Sequence, residues 1–346
     1  MKDSKIRIGL LGAGKWGQAH GRVYQEHPLA ELVWVCDLNR SRAKALAEEL
    51  GVEQWGNDYE EMVRTGGIDA VAIATPDFAH ADPAVIAAKH GKHLLIEKPL
   101  ATTREDVFRM MDAITDSGVR AMVDLHNRFS PPFNVAKQAV DAGEIGSIQS
   151  AYFRLNDAIW VPLDMLSWAG GSSIVWFLGS HSLDTLCWLV GAPLERVYAV
   201  SRSGVLRAQG VDSVDQYLTT LEFSDGTIAQ MENGWISPNS MPCVNDIKFS
   251  LLGDRGLLNI DASSHTMVQK FVDGRFEVPD TIVSHSIFGT PKGFVFESIR
   301  SFVDALASGE EFHVPLADAA RVSLGVLAIL ESARTRQPED VEWVDF

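Results

Sequence analysis

Three glycines near the start of the chain have a spacing that suits the binding of a pyrophosphate. Gly12, Gly14 and Gly17 form a G-x-G-x-x-G motif, which also contains Lys15 and Trp16. The first glycine permits a tight turn, the second lets the backbone approach the phosphates, and the third lets the following helix pack on the preceding strand. A helix that begins here presents free N–H groups and the positive end of its dipole to an anion. We therefore predict that these five residues contact a dinucleotide cofactor.

Asp37 indicates which dinucleotide this is. It lies 20 residues after Gly17, at the end of the next apolar run. A carboxylate there accepts hydrogen bonds from the ribose hydroxyls of NAD, whereas an NADP site favours an arginine. Arg40 and Arg42 lie nearby and keep use of both cofactors open. We predict NAD, with NADP less favoured; the alternative is a structural glycine turn with a solvated Asp37.

Two further polar segments follow apolar runs of the same half of the chain. Thr75-Pro76-Asp77 stands where open α/β sheets bind ligands, at the carboxyl end of a predicted strand. We predict that Thr75, Pro76 and His80 contact the cofactor. The alternative is a simple turn before a helix, with His80 making a hydrogen bond at the helix start.

Glu97-Lys98-Pro99 directly follows the next apolar run and stands where the nicotinamide end of the cofactor is expected. We predict that Glu97 and Lys98 contact the cofactor. The alternative is a structural lysine that pairs with Glu97.

The elements that must position these residues follow a clear pattern. Short apolar runs alternate with helical patterns up to residue 125, which is typical of a doubly wound parallel α/β (Rossmann) domain. The predicted strands cover residues 6–11, 32–37, 70–74, 93–97 and 121–125, and the predicted helices 15–26, 41–50, 83–90 and 103–117.

After residue 125 the pattern changes to period-2 alternation, which indicates half-covered antiparallel strands. Ser224-Asp225-Gly226 between two such runs predicts a hairpin. The second domain is therefore predicted to be α+β, with strands over 147–157, 196–202, 215–223, 227–235, 247–252 and 257–261, and helices over 133–142, 181–190, 293–307 and 316–335. We divide the chain into a cofactor-binding domain, 1–125, and a substrate-binding and oligomerisation domain, 126–346.

Composition agrees with two folded domains, since 346 residues at roughly 150 per domain predict two. The 46 acidic and 30 basic side chains leave a net charge of −16, which argues against a nucleic-acid partner and against an anionic membrane surface. The N-terminus shows no signal-peptide pattern, and Cys36, Cys187 and Cys243 are interpreted as free thiols rather than a disulfide framework or a metal site. We expect a cytoplasmic protein without a metal.

Taken together with Thr75-Pro76-Asp77-x-x-His80 and Gly91-Lys92-His93, the motifs closely resemble the glucose–fructose oxidoreductase/inositol dehydrogenase (Gfo/Idh/MocA) family. The resemblance covers nearly the whole chain and is dense over 6–150 and 171–191. It implies a Rossmann domain followed by a large open, mostly antiparallel sheet, and oxidation or reduction of a sugar or polyol with NAD(P). It also implies that Lys98 binds the reacting oxygen.

The resemblance assigns a second catalytic residue, His181, whose imidazole titrates near neutral pH and suits a general base. The family has an aspartate four residues earlier, but this chain has Phe177 there. Either Asp157, Asp164 or Asp184 takes its place, or Lys98 and His181 act alone. A structural core histidine is the alternative interpretation.

Substrate contacts are predicted where the second domain begins and along its first strand. Polar groups would bind hydroxyls and an aromatic face would cover C–H bonds. Besides Lys98 and His181, the candidates are Arg128, Arg154, Asn156, Asp157 and Trp160. Half of them are expected to be structural, and the alternative for the aromatic residues at 160, 168, 176 and 177 is a place in the core.

The sequence thus predicts an NAD-dependent dehydrogenase for a secondary hydroxyl of a sugar, inositol, sugar acid or related polyol. One alternative is a glycosidase that uses NAD for transient oxidation, and another is a non-catalytic NAD-binding regulator with the same fold. A regulator is expected to lack Lys98 or His181, and both are present. Relatives often assemble through the open sheet, so we expect a homodimer or homotetramer.

Overall fold

The computed structural model describes residues 5–263, 268–272 and 274–346, so the first four residues of the N-terminal segment lie outside the described residues. The chain divides into two compact units. The first contains the chain up to residue 126 together with 284–320 and residue 346, and the second contains 127–283 and 321–345. The division near 125 was predicted, whereas the return of 284–320 to the first unit was not. Periodicity shows that a helix has an apolar face but not which partner covers it.

The first unit begins with six parallel strands and the helices that connect them. The sheet has the order β3-β2-β1-β4-β5-β6, which changes direction between β1 and β4. The elements are β1 (Ile6–Leu11), α1 (Lys15–Glu26), β2 (Ala30–Cys36), α2 (Arg40–Leu50), β3 (Gln54–Gly56), α3 (Tyr59–Thr65), β4 (Ala70–Ile73), α4 (Ala81–Lys89), β5 (His93–Ile96), α5 (Arg104–Ser117) and β6 (Ala121–Val123).

Local sequence explains where these elements begin and end. All four residues of β4 are buried, as expected of a strand covered on both faces. The side chain of Asn39 accepts hydrogen bonds from the first backbone N–H groups of α2. Gly51 ends that helix in the left-handed conformation, with φ of 67°. Only the short β3 and α3 were missed by the sequence analysis.

The second unit is a seven-stranded mixed sheet with helices on one face. Its order is β12-β11-β7-β10-β9-β8-β17, and β7 and β10 are its parallel pair. The predicted hairpin at 224–226 is confirmed between β9 and β10. The elements are α6 (Pro131–Asp141), β7 (Ile148–Ala158), α7 (Ser180–Val190), β8 (Leu194–Arg202), β9 (Gln216–Phe223), β10 (Ile228–Ser237), β11 (Asn245–Gly253), β12 (Leu257–Asp261), β13 (Lys270–Val272) and β14 (Arg275–Glu277).

The remaining elements follow in chain order. The first unit is completed by a short hairpin and by α8, which packs on α1 and β1. No helix in the described part of the chain is both long and apolar enough to cross a membrane. These elements are β15 (His285–Ile287), β16 (Thr290–Lys292), α8 (Phe294–Ser308), α9 (Leu316–Thr335) and β17 (Glu339–Asp340).

The two faces of the second sheet differ in their cover. Phe153 and Leu155 of β7 lie in the hydrophobic core together with Leu183 and Leu186 of α7. The opposite face, which we call the open face, carries exposed apolar side chains from several strands. These are Tyr198, Val200, Leu218, Ile228, Leu252 and Leu257. The predicted fold class, a doubly wound parallel sheet followed by a large, mostly antiparallel sheet, is confirmed.

Candidate active site

The three glycines of the first turn are constrained by different atoms. Gly12 has φ of 103°, and a Cβ there would lie 2.3 Å from the carbonyl oxygen of Ala74. A Cβ at Gly17 would lie 1.8 Å from the carbonyl oxygen of Gly12. Around Gly14, no atom of the described residues other than its chain neighbours lies within 4 Å of the corresponding position. The fold therefore requires Gly12 and Gly17, while the open space at Gly14 is what a phosphate-bearing ligand needs in order to approach the backbone.

The start of α1 has the electrostatic character that an anion needs. The helix begins at Lys15 after Gly14, without a side-chain cap and without an acidic residue in its first turn. Its first N–H groups can therefore be used by a ligand rather than by a protein carboxylate. Lys15 is exposed, and the ring of Trp16 lies 6.0 Å from that of His126. These residues fit the pyrophosphate of a dinucleotide.

Asp37 is held in place by two backbone groups. Its Oδ2 accepts a hydrogen bond from the N–H of Ala13 at 2.8 Å, and its Oδ1 accepts one from the N–H of Asn39 at 2.7 Å. Each carboxylate oxygen has a second lone pair, so ribose hydroxyls can still donate to this partly exposed side chain. The nearby Arg40 guanidinium lies 5.2 Å from the centre of the Trp55 ring. This arrangement fits NAD.

His80 links the ends of two strands. Its Nδ1 lies 2.8 Å from the carbonyl oxygen of Pro99, and its Nε2 lies 3.1 Å from the carbonyl oxygen of Thr75. The ring is fully buried, and burial lowers the pKa of His80 against the opposing effect of both carbonyls. A neutral imidazole donates through one nitrogen only, so one carbonyl at a time accepts its hydrogen. Both ring nitrogens thus face backbone carbonyls, so His80 connects the segments that follow β4 and β5, and its contact with the cofactor stays a prediction.

Lys98 follows β5 and is 8% exposed, and the Lys98–Pro99 peptide is cis. The side chain of Glu97 points into the interior, where its Oε1 accepts a hydrogen bond from Nε2 of His20 at 2.8 Å. The structure therefore separates the two residues that the sequence placed together at the cofactor. Glu97 belongs to a buried polar cluster, and Lys98 lies at its edge, close enough to act electrostatically on Glu97 and Asp124.

The sequence analysis did not anticipate most of this cluster. His20 and Tyr24 come from α1, Asp124 follows β6, and Ser298 of α8 donates a hydrogen bond to Asp124. A carboxylate that directly follows an apolar strand is a signal that was available at Asp124. His20 and Ser298 gave no comparable signal, because their positions on helices were compatible with any buried face.

His181 is the second residue of α7 and is 4% exposed. Its backbone carbonyl accepts a hydrogen bond from the hydroxyl of Thr185 at 2.8 Å. Phe177 lies in the preceding turn, and its ring centre is 6.2 Å from that of Trp168 and 6.3 Å from that of Trp235. An aromatic cluster thus occupies the place where the resemblance implies a carboxylate.

The aspartates considered as replacements have other surroundings. Asp164 is exposed, and Asp157 accepts a hydrogen bond from the Asn245 amide. Asp184 is engaged by Arg128, whose Nε lies 3.0 Å and 3.2 Å from the two carboxylate oxygens while a terminal nitrogen lies 2.6 Å from Oδ1. Both side chains of this pair are buried.

Arg128 was predicted to contact substrate, and the structure gives its guanidinium a different partner. It pairs with Asp184 and lies 5.6 Å from the centre of the Trp188 ring. The neighbouring Asn127 donates to the hydroxyl of Thr185 at 3.2 Å. Arg128 and Asn127 therefore anchor the first turns of α7, the helix that carries His181.

The remaining predicted substrate residues lie on different faces of the second sheet. Side chains alternate along β7, so Arg154 and Asn156 point to the open face, away from α7. Arg154 pairs there with Asp246 at 2.8 Å, and Asn156 donates to Glu232 at 2.8 Å. The structure therefore does not bring Arg154 and Asn156 together with His181, and this part of the prediction is corrected.

Asp157 and Trp160 remain compatible with the prediction. Asp157 is buried and alternates with Asn156, so it faces the side of the sheet that α7 covers. Trp160 is half-buried, and its backbone N–H donates to Asn239 at 3.1 Å. It directly precedes a π-helical turn over Val161–Met165.

Comparison with known protein families matches both parts of the chain. Residues 6–125 match an oxidoreductase family described by its NAD-binding Rossmann fold, and residues 133–259 match the GFO/IDH/MocA C-terminal domain. The two matches occur in chain order and together cover most of the sequence.

Individual relatives agree with this assignment. The chain is 32% identical to scyllo-inositol 2-dehydrogenase (NAD(+)) of Bacillus subtilis strain 168, over 77% of each chain. It is 27% identical to levoglucosan dehydrogenase of Pseudarthrobacter phenanthrenivorans, over 98% of each chain. A solved levoglucosan dehydrogenase in complex with NADH and levoglucosan is 26% identical, with a TM-score of 0.82 over 99% of this chain and all of the other. The predicted resemblance, the enzyme class and the NAD-binding character are confirmed, and the chain belongs to the Gfo/Idh/MocA oxidoreductase family.

Proposed function

We propose that this protein is an NAD-dependent dehydrogenase that oxidises a secondary hydroxyl of a sugar, inositol, sugar acid or related polyol, or reduces the corresponding ketone. The observation that carries the proposal is the 32% identity with a scyllo-inositol 2-dehydrogenase over 77% of the chain. The relation to levoglucosan dehydrogenase, a sugar-derivative enzyme by its name, supports the same substrate class.

The proposed reaction divides the work between two side chains. When bound, NAD supplies the acceptor for the hydride that leaves the carbinol carbon. Lys98 stabilises negative charge on the reacting oxygen through its ammonium group. His181 takes the hydroxyl proton, a role that suits an imidazole near neutral pH. Phe177 is apolar, and Asp184 is engaged by Arg128. Lys98 and His181 therefore act without a carboxylate at position 177.

Substrate contacts are proposed for a smaller set than the sequence predicted. Asp157 offers an acceptor for hydroxyl groups, and Trp160 offers an aromatic face for C–H bonds. Both lie on or next to β7, and neither is turned to the open face. Arg128 is proposed to act indirectly, by holding α7 through Asp184.

The experiment is a substrate screen followed by two substitutions. Purified protein and NAD are mixed with a panel of sugars, inositols and sugar acids, and NADH formation is followed by absorbance. We expect Lys98→Ala and His181→Ala to reduce kcat/KM with the best substrate by about 10²–10⁴-fold, while NAD affinity changes little. Lys89→Ala and His90→Ala are matched controls, since both residues are exposed at the end of α4.

Three outcomes would contradict the proposal in different ways. Unchanged rates in the Lys98 and His181 variants would remove their catalytic roles. Cleavage of a glycoside with NAD retained and no net NADH would indicate a redox glycosidase. NAD binding without turnover of any substrate would indicate a regulator.

We further propose that the protein is a homodimer or homotetramer that assembles through the open face. Tyr198, Val200, Leu218 and Ile228 are 40–55% exposed on that face. Several such side chains on one sheet face form a patch of the kind that protein interfaces bury. Ion pairs such as Arg154–Asp246 lie on the same face and would provide polar specificity.

A further inference from the structure

The buried polar cluster lies next to Lys98, and none of its members takes part in the reaction proposed above. Its members come from α1, from the residues after β5 and β6, and from α8. Each is at most 5% exposed, so water does not solvate their polar atoms. They are His20, Tyr24, Glu97, Asp124 and Ser298.

Hydrogen bonds and short distances connect the members of this cluster. Nδ1 of His20 lies 3.0 Å from the Tyr24 hydroxyl, and Nε2 lies 2.8 Å from Oε1 of Glu97. Asp124 accepts a hydrogen bond from the hydroxyl of Ser298. The ring and carboxyl atoms of His20, Glu97 and Asp124 lie within 4.8 Å of one another. Because an ionised Glu97 only accepts, Nε2 of His20 carries the hydrogen of this bond.

Glu97 and Asp124 are buried and have carboxyl oxygens within 4.8 Å of each other, and two carboxyl groups this close and away from water do not both ionise at neutral pH. Burial, and after it the charge of Glu97, raises the pKa of Asp124 well above its usual value. Burial also opposes ionisation of Glu97, but the hydrogen bond and charge of His20 and the charge of Lys98 hold the pKa of Glu97 below its usual value. The two carboxyls therefore carry one negative charge and one proton between them.

We propose that Glu97 and Asp124 share this one proton and present a single negative charge to Lys98, which makes Asp124 a positioning residue for the reaction. The shared proton sets the electrostatic environment of the Lys98 ammonium without contact between Asp124 and the substrate. Only the predicted effect on turnover rests on the proposed function, and the shared proton itself does not depend on it.

The other ionisable groups around the pair are consistent with one shared proton. Burial lowers the pKa of His126 to about 4, so this neighbour is neutral at pH 7. Tyr24 is neutral as well, because burial raises its pKa well above the usual value. The ionisable groups that act on the pair, or on which the pair acts, are His20, Tyr24, His80, Lys98 and His126.

The test compares two isosteric substitutions. Glu97→Gln removes the negative charge that faces Lys98 and so makes its ammonium easier to deprotonate. The alkaline limb of the pH profile of kcat/KM for oxidation, where Lys98 loses its proton, should therefore move to lower pH by about one unit. Asp124→Asn replaces a neutral acid with a neutral amide, so the limb should stay within about 0.3 units of the wild type even though the rate falls. Asp112→Asn, an exposed position on α5, controls for the chemistry of the exchange.

A shift in the Asp124→Asn variant as large as that in Glu97→Gln would overturn the proposal, because it would show that Asp124 carries charge. A purely structural role for Asp124 would lower stability or rate in both variants without the contrast in their pH profiles. That result would also overturn it.

Infrared spectroscopy provides a readout that does not depend on activity or on the correct substrate. With ¹³C-labelled aspartate, wild-type protein at pH 7 should show the carbonyl band of a protonated carboxylic acid, and Asp124→Asn should lose it. Absence of this band from the folded wild type would refute the shared proton whether or not the dehydrogenase function holds. A stoichiometric divalent metal in the purified protein would also refute it, because a cation at these oxygens would replace the proton.

Discussion

Gly12, Gly14 and Gly17 belong to one motif, but different constraints require a glycine at each position. Backbone carbonyls crowd Gly12 and Gly17, while the space beside Gly14 is open. Substitutions at Gly14 and Gly17 therefore form a matched pair that separates an effect on cofactor binding from an effect on folding.

Gly17→Ala should destabilise the protein by about 2 kcal/mol or more, because its Cβ would force α1 away from the carbonyl of Gly12. Gly14→Ala has ordinary backbone angles, with φ of −77°, and should leave the unfolding midpoint nearly unchanged. Its methyl group would occupy the space where the phosphates approach, so NAD affinity should fall about 10-fold, or about 1.4 kcal/mol. Denaturant titration and NAD binding measured on both variants check this, and equal effects on both quantities would contradict it.

Individual site residues could be predicted from the sequence where a motif fixes the backbone. They were harder to predict where contacts with other elements determine the direction of the side chain. Asp37 was identified from its distance to Gly17, and the structure holds its carboxylate beside the glycine turn. Arg154 was assigned to the substrate because a polar residue on a strand can face either side. Only the core contacts of Phe153 and Leu155 show which side α7 covers.

At the scale of elements, α7 illustrates how the helix that carries His181, the proposed general base, is held in place. The helix ends at Gly191 as predicted, but its start depends on partners far away in sequence. Arg128 and Asn127 bind successive residues, Asp184 and Thr185, one turn after His181. The partners in these two pairs are separated by 56 and 58 residues in the chain, and contacts over such separations leave no signal in a single sequence. By contrast, hydrophobic periodicity placed most helices and strands within two residues, because that signal is local.

The buried Arg128–Asp184 pair should behave as a unit. Asp184→Asn leaves a buried guanidinium without its counter-charge and should lower the free energy of unfolding by about 3–5 kcal/mol. Arg128→Met combined with Asp184→Leu should cost less than either single change, because no unpaired charge remains. Guanidinium chloride unfolding of the single and double variants measures the coupling. Additive effects of the two changes would show that the pair does not act as a unit.

At the scale of the whole molecule, the proposed assembly through the open face can be tested by adding a charge to that face. Leu218→Glu places a charge in the exposed apolar patch, opposite Glu232 on the neighbouring strand, and should shift the protein towards monomers. Light scattering combined with gel filtration reports the mass, and Val135→Glu, at an exposed position on α6, is the control. A wild-type monomer, or an unchanged mass in the Leu218 variant, would contradict the proposed assembly.

The return of residues 284–320 to the first unit has a consequence for synthesis of the chain. The ribosome completes the six-stranded sheet by residue 123, but Ser298, the partner of Asp124, and the helix that packs on α1 come much later. The second unit is likewise incomplete until residues 321–345 are made. The first unit therefore cannot finish folding until α8 has been made, and the buried polar cluster beside Lys98 is complete only then.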